Sequence, residues 1–244
     1  MMEKNGAKYF VFVALWLIVC QAKAQVEVTT HLEAGRNNVS ESILLNSAIF
    51  GTIYYGKYSL KGGYQASFVN PYLKILNAGS ITAARQFVIN DALVKLEGIY
   101  INNRFSEYVR EVNWGVVCNF RRNHFRFSAG TNFRIYSVPK AVSDSLENVS
   151  NDKIYEYWNL MYLVGYTLKP FDYKWNLGIN LTNIDHFIIN QETNPGFNIQ
   201  ARYRFSRGLT AYTEAWLKRS GALNLSVNHF GFIIRLGVIW DMDI

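Results

Sequence analysis

Charged side chains recur at alternate positions in several stretches of this sequence. Between residues 124 and 136, Arg126 and Arg134 fall on even positions, whereas the phenylalanines fall on odd ones. A guanidinium group binds a carboxylate or phosphate through two parallel hydrogen bonds, so arginines that share one face of a strand could attract anions. Fifteen charged residues are predicted to face the same side, and eight of them form the candidate selectivity site: Arg126, Arg134, Arg202, Arg235, Lys61, Lys95, Glu97 and Glu111. The other members of the set are Lys57, Lys174, Arg204, Lys218, Glu27, Glu33 and Glu214. Basic residues outnumber acidic ones in the set, which predicts a positive electrostatic potential.

The four histidines lack the surroundings that catalysis or metal binding requires. None has a serine two residues away on the same strand face, where a nucleophile would meet its general base. His31, His124, His186 and His229 are scattered, and with two cysteines they give no zinc-ligand spacing. The glycine patterns that bind phosphates or dinucleotides are also absent. We therefore expect no catalytic residue, no metal, no cofactor and no enzyme activity.

These charged residues belong to a two-residue rhythm that extends from about residue 26 to the C-terminus. Side chains alternate across a β-strand, so each such stretch has one apolar and one polar face. Turn-forming residues divide the rhythm into twelve predicted strands. Ten strands remain an alternative, because residues 43–55 alternate poorly and Trp216 falls among polar residues. The predicted strands are 26–35, 43–55, 57–69, 79–89, 92–103, 107–121, 124–138, 153–169, 173–189, 196–206, 209–219 and 227–242.

The length of the strands and of their connections favours a membrane-spanning barrel. At about 3.3 Å per residue, tilted strands of this length cross an apolar band of about 25 Å. Tyrosine and tryptophan gather at strand ends, where interfacial girdles lie. Short and long connections alternate, apart from a tight turn expected at Asn102-Asn103. The fold class is therefore an all-β, transmembrane, antiparallel up-and-down β-barrel with short periplasmic turns and both termini periplasmic. In a soluble β-sandwich, by contrast, the apolar faces would be buried and the polar faces exposed to water.

One outward position conflicts with this interpretation. Arg85 shares a face with Ile81, Phe87 and Ile89. An arginine at the middle of a bilayer costs about 2–4 kcal/mol. We expect either a bulge that shifts the register or a position near a membrane interface.

The first 24 residues have the features of a secretory signal. Lys4 and Lys8 precede an apolar run, 10–20, and Ala22-Lys23-Ala24 is a small-x-small cleavage site. The run is too short to cross a bilayer of about 30 Å as a helix. The sequence predicts a signal peptide, 1–24, and one barrel domain, 25–244, with the mature chain beginning at Gln25. An uncleaved anchor and lipidation at Cys20 are the alternatives. Export and inward-facing charges argue against nucleic acid as a partner.

The C-terminal octapeptide Arg235–Met242 resembles the insertion signal of outer-membrane proteins. It has a polar residue, then Gly237, then the apolar Trp240 and Met242 at the expected spacing. The usual signal closes on a terminal phenylalanine, whereas this chain continues through Asp243 and Ile244. The chain thus resembles the β-barrels of the Gram-negative outer membrane. That resemblance implies a location in the outer membrane, contact with its lipid, and the barrel assembly machinery as a partner during insertion.

Strand number and charge together are similar to those of small twelve-stranded porins that pass acidic oligosaccharides. The first hypothesis is a passive channel whose basic lumen favours anionic small solutes or oligosaccharides. The second is a non-conducting structural or docking barrel of a cell-surface complex, with its interior filled by ion pairs. A lipid-modifying outer-membrane enzyme is the least favoured, because the His-Ser pair is missing. The longest connection, 139–152, is expected to face outward.

Overall fold

The computed structural model describes residues 24–36, 43–68, 77–104, 110–138, 144, 153–169, 173–184, 196–218 and 232–243. These segments form twelve strands and contain no helix long and apolar enough to cross a membrane. In chain order the strands are β1 (Gln25–Arg36), β2 (Ile43–Tyr55), β3 (Tyr58–Ser67), β4 (Asn77–Ile89), β5 (Ala92–Arg104), β6 (Arg110–Arg122), β7 (Phe125–Ser137), β8 (Ile154–Thr167), β9 (Trp175–Thr182), β10 (Gly196–Ser206), β11 (Leu209–Lys218) and β12 (Phe232–Asp243).

The sheet closes on itself through its first and last strands. Every strand runs antiparallel to the neighbour that precedes or follows it in the chain, and β1 pairs with β12 from Gln25↔Asp243 to Arg36↔Phe232. Closure pairs the two edges that the first and last strands would otherwise leave open. The predicted all-β up-and-down barrel is therefore confirmed, with twelve strands rather than ten.

Strand bounds agree with the sequence prediction to within three residues, except in β9 and β12. The strand predicted at 173–189 ends at Thr182, because the Thr182 hydroxyl accepts a hydrogen bond from the Ile184 backbone at 2.8 Å. A side chain that bonds to its own backbone in this way competes with the sheet ladder. The remainder of that prediction, 185–189, lies outside the described residues, as does 227–231 of the last strand.

The four two-residue connections lie at one end of the barrel, together with the start of β1 and the end of β12. Asn90, Asp91 and Asn123 have positive φ angles of 46°, 62° and 49°, as two-residue hairpin turns require. The tight turn expected at Asn102-Asn103 is wrong: both residues belong to β5, where they pair with Val112 and Glu111. The connections at this end have two residues each except 168–174, which has seven, whereas those at the other end have five to sixteen. The predicted alternation of short and long connections therefore holds apart from 168–174. We call the two ends of the barrel the short-turn end and the loop end.

The outer wall is apolar and the inner wall is mainly polar. Large apolar side chains such as Leu32, Ile49 and Trp114 are exposed, whereas Glu33, Asn46 and Arg235 are almost completely buried. This is the reverse of a water-soluble protein. A small apolar cluster also lies inside, and its members are Ile99, Ile101, Val117, Met161, Leu163 and Ile184.

Arg85 faces outward as the sequence predicts, but close to the short-turn end. It pairs with Tyr58, the first residue of β3, and its guanidinium lies 5.5 Å from the Tyr58 ring and 4.8 Å from the Phe87 ring. β4 keeps a continuous register with both of its neighbours. The position near an interface, rather than a bulge, therefore explains this residue.

Because the outer wall is apolar, we expect an outward arginine to destabilise the barrel more at the middle of a strand than near its end. Ile49→Arg places a charge halfway along β2 on the outward face, so we expect the free energy of unfolding to fall by about 2–4 kcal/mol. Arg85→Leu, at the rim, should change it by less than about 1 kcal/mol. Denaturant unfolding of both variants in lipid bilayers measures the difference. Equal costs at the two positions would contradict the assigned depths.

Candidate functional site in the barrel interior

A buried arginine between two glutamates forms a charged group on the inner wall. Arg235 of β12 lies directly opposite Glu33 of β1 on one side and Glu214 of β11 on the other. Its Nε is 2.5 Å from Glu33 Oε2, and a terminal nitrogen is 3.4 Å from Glu214 Oε2. All three side chains are at most 4% exposed. We call them the Arg235 cluster.

Amide side chains on the neighbouring strands complete the hydrogen bonding of this cluster. Asn46 and Gln65 donate to Glu33 at 2.9 and 3.4 Å. Gln200 and the indole of Trp216 donate to Glu214 at 3.2 and 3.3 Å. Buried charges are tolerated only when they are paired and their remaining lone pairs are bonded. The inward Trp216, which seemed misplaced in the sequence, is therefore part of the site.

Arg126 extends the network across a neighbouring strand. From β7 it donates to Asn180 of β9 at 2.5 Å and to Gln200 of β10 at 3.1 Å. Gly165 of β8 lies opposite both Arg126 and Asn180. A Cβ at Gly165 would be 2.2 Å from Asn180 Oδ1. The missing side chain is what lets the guanidinium reach over β8.

A second ion-pair group lies on the inner wall formed by β6, β7 and β8. Arg134 is 3.9 Å from Glu111 and 3.3 Å from Glu156, and it donates a hydrogen bond to the Tyr136 hydroxyl. Asn113 donates to Glu111 at 2.6 Å. As in the Arg235 cluster, two carboxylates surround one guanidinium. Neither group therefore supplies net positive charge to the interior.

Basic side chains accumulate instead at the short-turn end. Lys174, Arg202 and Arg204 line a recess of about 190 Å³, together with the carboxylates of Glu27 and Asp241. All three basic residues are exposed. Within the described part of the chain, neither arginine forms an ion pair with a carboxylate. We call this recess the short-turn vestibule.

A smaller recess lies on the opposite side of the short-turn end. Its volume is about 170 Å³, and Lys95, Glu97, Arg121 and Arg126 line it. Lys95 and Glu97 form an ion pair of 2.5 Å, so they largely neutralise each other. Lys61 lies 4.7 Å from the centre of the Phe50 ring, on a different part of the wall.

The eight predicted residues all belong to the inward faces of their strands but do not form one site. Arg134 and Glu111 share one ion-pair group, Arg235 forms another, and Arg202 lies in the vestibule. Of the wider set of charged inward positions, Glu33 and Glu214 join Arg235, and Lys174 and Arg204 line the vestibule with Arg202. Glu156 was not predicted, because only the register between β7 and β8 places it beside Arg134.

The described histidines make structural hydrogen bonds. His31 Nδ1 lies 3.0 Å from the Tyr212 hydroxyl, and His124 Nδ1 lies 2.8 Å from the Thr167 carbonyl oxygen. No cluster of potential metal ligands occurs among the residues that the structure describes. His186, His229, the signal segment 1–23 and, except for residue 144, the connection 139–152 lie outside them.

The chain matches no protein-family model and no curated protein sequence. Among solved structures it is similar to the NanC porin, with a TM-score of 0.52 and 11% identity over 88% of this chain and 98% of that one. The KdgM porin in complex with disordered oligogalacturonate gives a TM-score of 0.50 and 9% identity over the same shares of the two chains.

Outer membrane phospholipase A from Escherichia coli aligns with a TM-score of 0.46 and 8% identity over 88% of this chain and 92% of that one. This weaker similarity supports no inference about activity. The two porins establish the fold, so the predicted resemblance to porin-like outer-membrane barrels is confirmed at that level.

The Arg235 cluster is expected to carry much of the stability of the interior. Arg235→Leu leaves Glu33 and Glu214 buried without a counter-charge, so we expect the free energy of unfolding to fall by about 3–5 kcal/mol. Arg202→Leu removes an exposed arginine and should cost less than about 1 kcal/mol. Denaturant titration of the refolded barrel measures both. A cost for Arg235→Leu no larger than the control would contradict the role of the cluster.

Proposed function

We propose that this protein is an outer-membrane channel that favours anionic small solutes or oligosaccharides. The observation that carries the proposal is the position of Arg202 and Arg204 on the inward face of β10, where both line one recess. Basic side chains in a recess with low-dielectric walls raise the local concentration of anions. Arginine also binds carboxylate and phosphate groups bidentately.

The proposed location rests on the outer wall. Exposed leucine, isoleucine, valine and aromatic side chains cover all sides of the barrel, from Leu32 on β1 to Trp240 on β12. Closed barrels satisfy their backbone hydrogen bonds internally, which hydrocarbon surroundings demand. The predicted secretory signal, 1–24, and the fold shared with two porins support the same location.

Selectivity is assigned to the short-turn vestibule rather than to Arg134 and Arg235. Each of those arginines is accompanied by two glutamates, so a passing solute meets little net positive charge there. Glu27 and Asp241 also line the vestibule, and Glu27 accepts hydrogen bonds from Tyr54 at 3.2 Å and Thr29 at 3.4 Å. Arg202 and Arg204 balance these two carboxylates. Lys174 adds positive charge at the rim, where its ammonium lies 5.3 Å from the ring of the outward Tyr203. The vestibule is therefore weakly positive.

Reversal of the vestibule charge tests this assignment. The double variant Arg202→Glu and Arg204→Glu should lower the anion-to-cation permeability ratio by on the order of tenfold, which corresponds to about 1.4 kcal/mol. Reversal potentials in planar bilayers under a salt gradient give the ratio. The matched control is Arg122→Glu, an exposed outward residue at the same end of the barrel, which should leave the ratio unchanged.

Two results would reject the channel. One is the absence of conductance in the unmodified barrel, and the other is a cation preference that the double variant does not alter. The buried Arg235 cluster, with its amide partners, specifically favours a second function, a non-conducting structural or docking barrel. Zero conductance together with a stoichiometric partner in mild-detergent purification would select that function instead.

A further inference from the structure

The outer wall has an apolar groove between β4 and β8. Its floor is a row of small or short side chains in register across four strands, and its upper wall is a parallel row of larger ones. The volume of the groove is about 740 Å³. The floor row is Ala83, Gly98, Val116 and Thr131, and the upper row is Ile81, Tyr100, Trp114 and Phe133.

A bulge in β8 closes one end of this groove. Tyr157 and Trp158 both lie opposite Phe133, because the register shifts between Asn132 and Arg134. Trp158 has a φ of 60° and is 82% exposed. A bulky residue rarely adopts positive φ, and a bulge re-aims side chains. Two successive aromatic residues thus project outward and extend the wall of the groove.

A basic residue lies above the groove, toward the loop end. Arg110 begins β6, is exposed, and shares the outward face of that strand with Trp114. Four residues of strand separate the two, which is a distance of about 13 Å. On β5, the exposed Asn102 lies opposite Val112, at a height between Arg110 and Trp114. A headgroup anion at Arg110 and a hydrocarbon chain in the groove would fit this spacing.

We propose that the groove binds an acyl chain of a membrane lipid whose headgroup phosphate contacts Arg110. Hydrocarbon surrounds a membrane barrel on every side, so the removal of water gives the groove no advantage. Close packing of the chain against a concave aromatic wall and the pairing of phosphate with guanidinium supply the preference. The inference rests on the proposed membrane location and is independent of conduction.

Lipid retention in native mass spectrometry tests the proposal. The probes are phosphatidylglycerol and a diacylglycerol with the same chains, each added to the full barrel in detergent. Phosphatidylglycerol should bind more tightly, and Arg110→Gln should weaken it about threefold. Arg122→Gln, at the other end of the same strand face, is the control and should have no effect.

Filling the groove tests the apolar half of the site. Gly98→Leu and, as a second variant in case the first does not fold, Ala83→Leu should each weaken phosphatidylglycerol retention about threefold. Gly51→Leu is the matched control, since a Cβ at this outward glycine meets open space. Conductance should be unchanged in all three variants, because these positions face away from the interior.

Four outcomes would overturn the proposal. These are equal retention of the two lipids, retention unaffected by filling the groove, retention unaffected by Arg110→Gln, and an equal loss in either control. A dimer that Gly98→Leu dissociates would likewise overturn it, because the groove would then contact a second copy of the barrel. Loss of conductance with intact lipid retention would reject the channel alone.

Discussion

Pairing between β1 and β12 is the interaction on which the rest of the structure depends. It joins the two ends of the chain over the full length of both strands, from Gln25↔Asp243 to Arg36↔Phe232. Without it the sheet would have two open edges, whose unpaired N–H and C=O groups hydrocarbon cannot satisfy. The same pairing brings Glu33 next to Arg235, residues 202 positions apart in the chain. The pairing that closes the barrel therefore also brings the members of the Arg235 cluster together.

Closure divides the side chains into two populations with opposite requirements. Outward side chains are mostly apolar and exposed. Inward side chains occupy a confined volume and must satisfy one another. Glycines such as Gly165 and Gly237 give the room that Arg126 and Tyr212 need, since a Cβ at either glycine would overlap a neighbouring side chain. The same alternation therefore gives the barrel an apolar outer wall and collects its buried polar groups on the inner one.

Alternation along the sequence predicted the strands and their faces well, because a period of two follows directly from strand geometry. It failed where local chemistry overrides the period: Thr182 ends β9 through its hydroxyl, and a bulge at Trp158 breaks the phase of β8. Alternation identified Arg134 and Arg235 as inward residues, but it did not show that neighbouring glutamates balance their charges. The partners of these arginines depend on the register between strands. That register is set by the number of residues in each connection, and the sequence of a single strand does not reveal it.

The central claim is that lipid contacts the odd-numbered face of β7 and its equivalents around the barrel. Spin labels at successive positions 127–132, placed one at a time in a Cys118→Ser background, report this contact in bilayers. Collision with oxygen, which concentrates in hydrocarbon, should peak at 127, 129 and 131, whereas a water-soluble nickel complex should never reach those positions. Accessibility without a two-residue period, or nickel contact at the odd positions, would contradict the account.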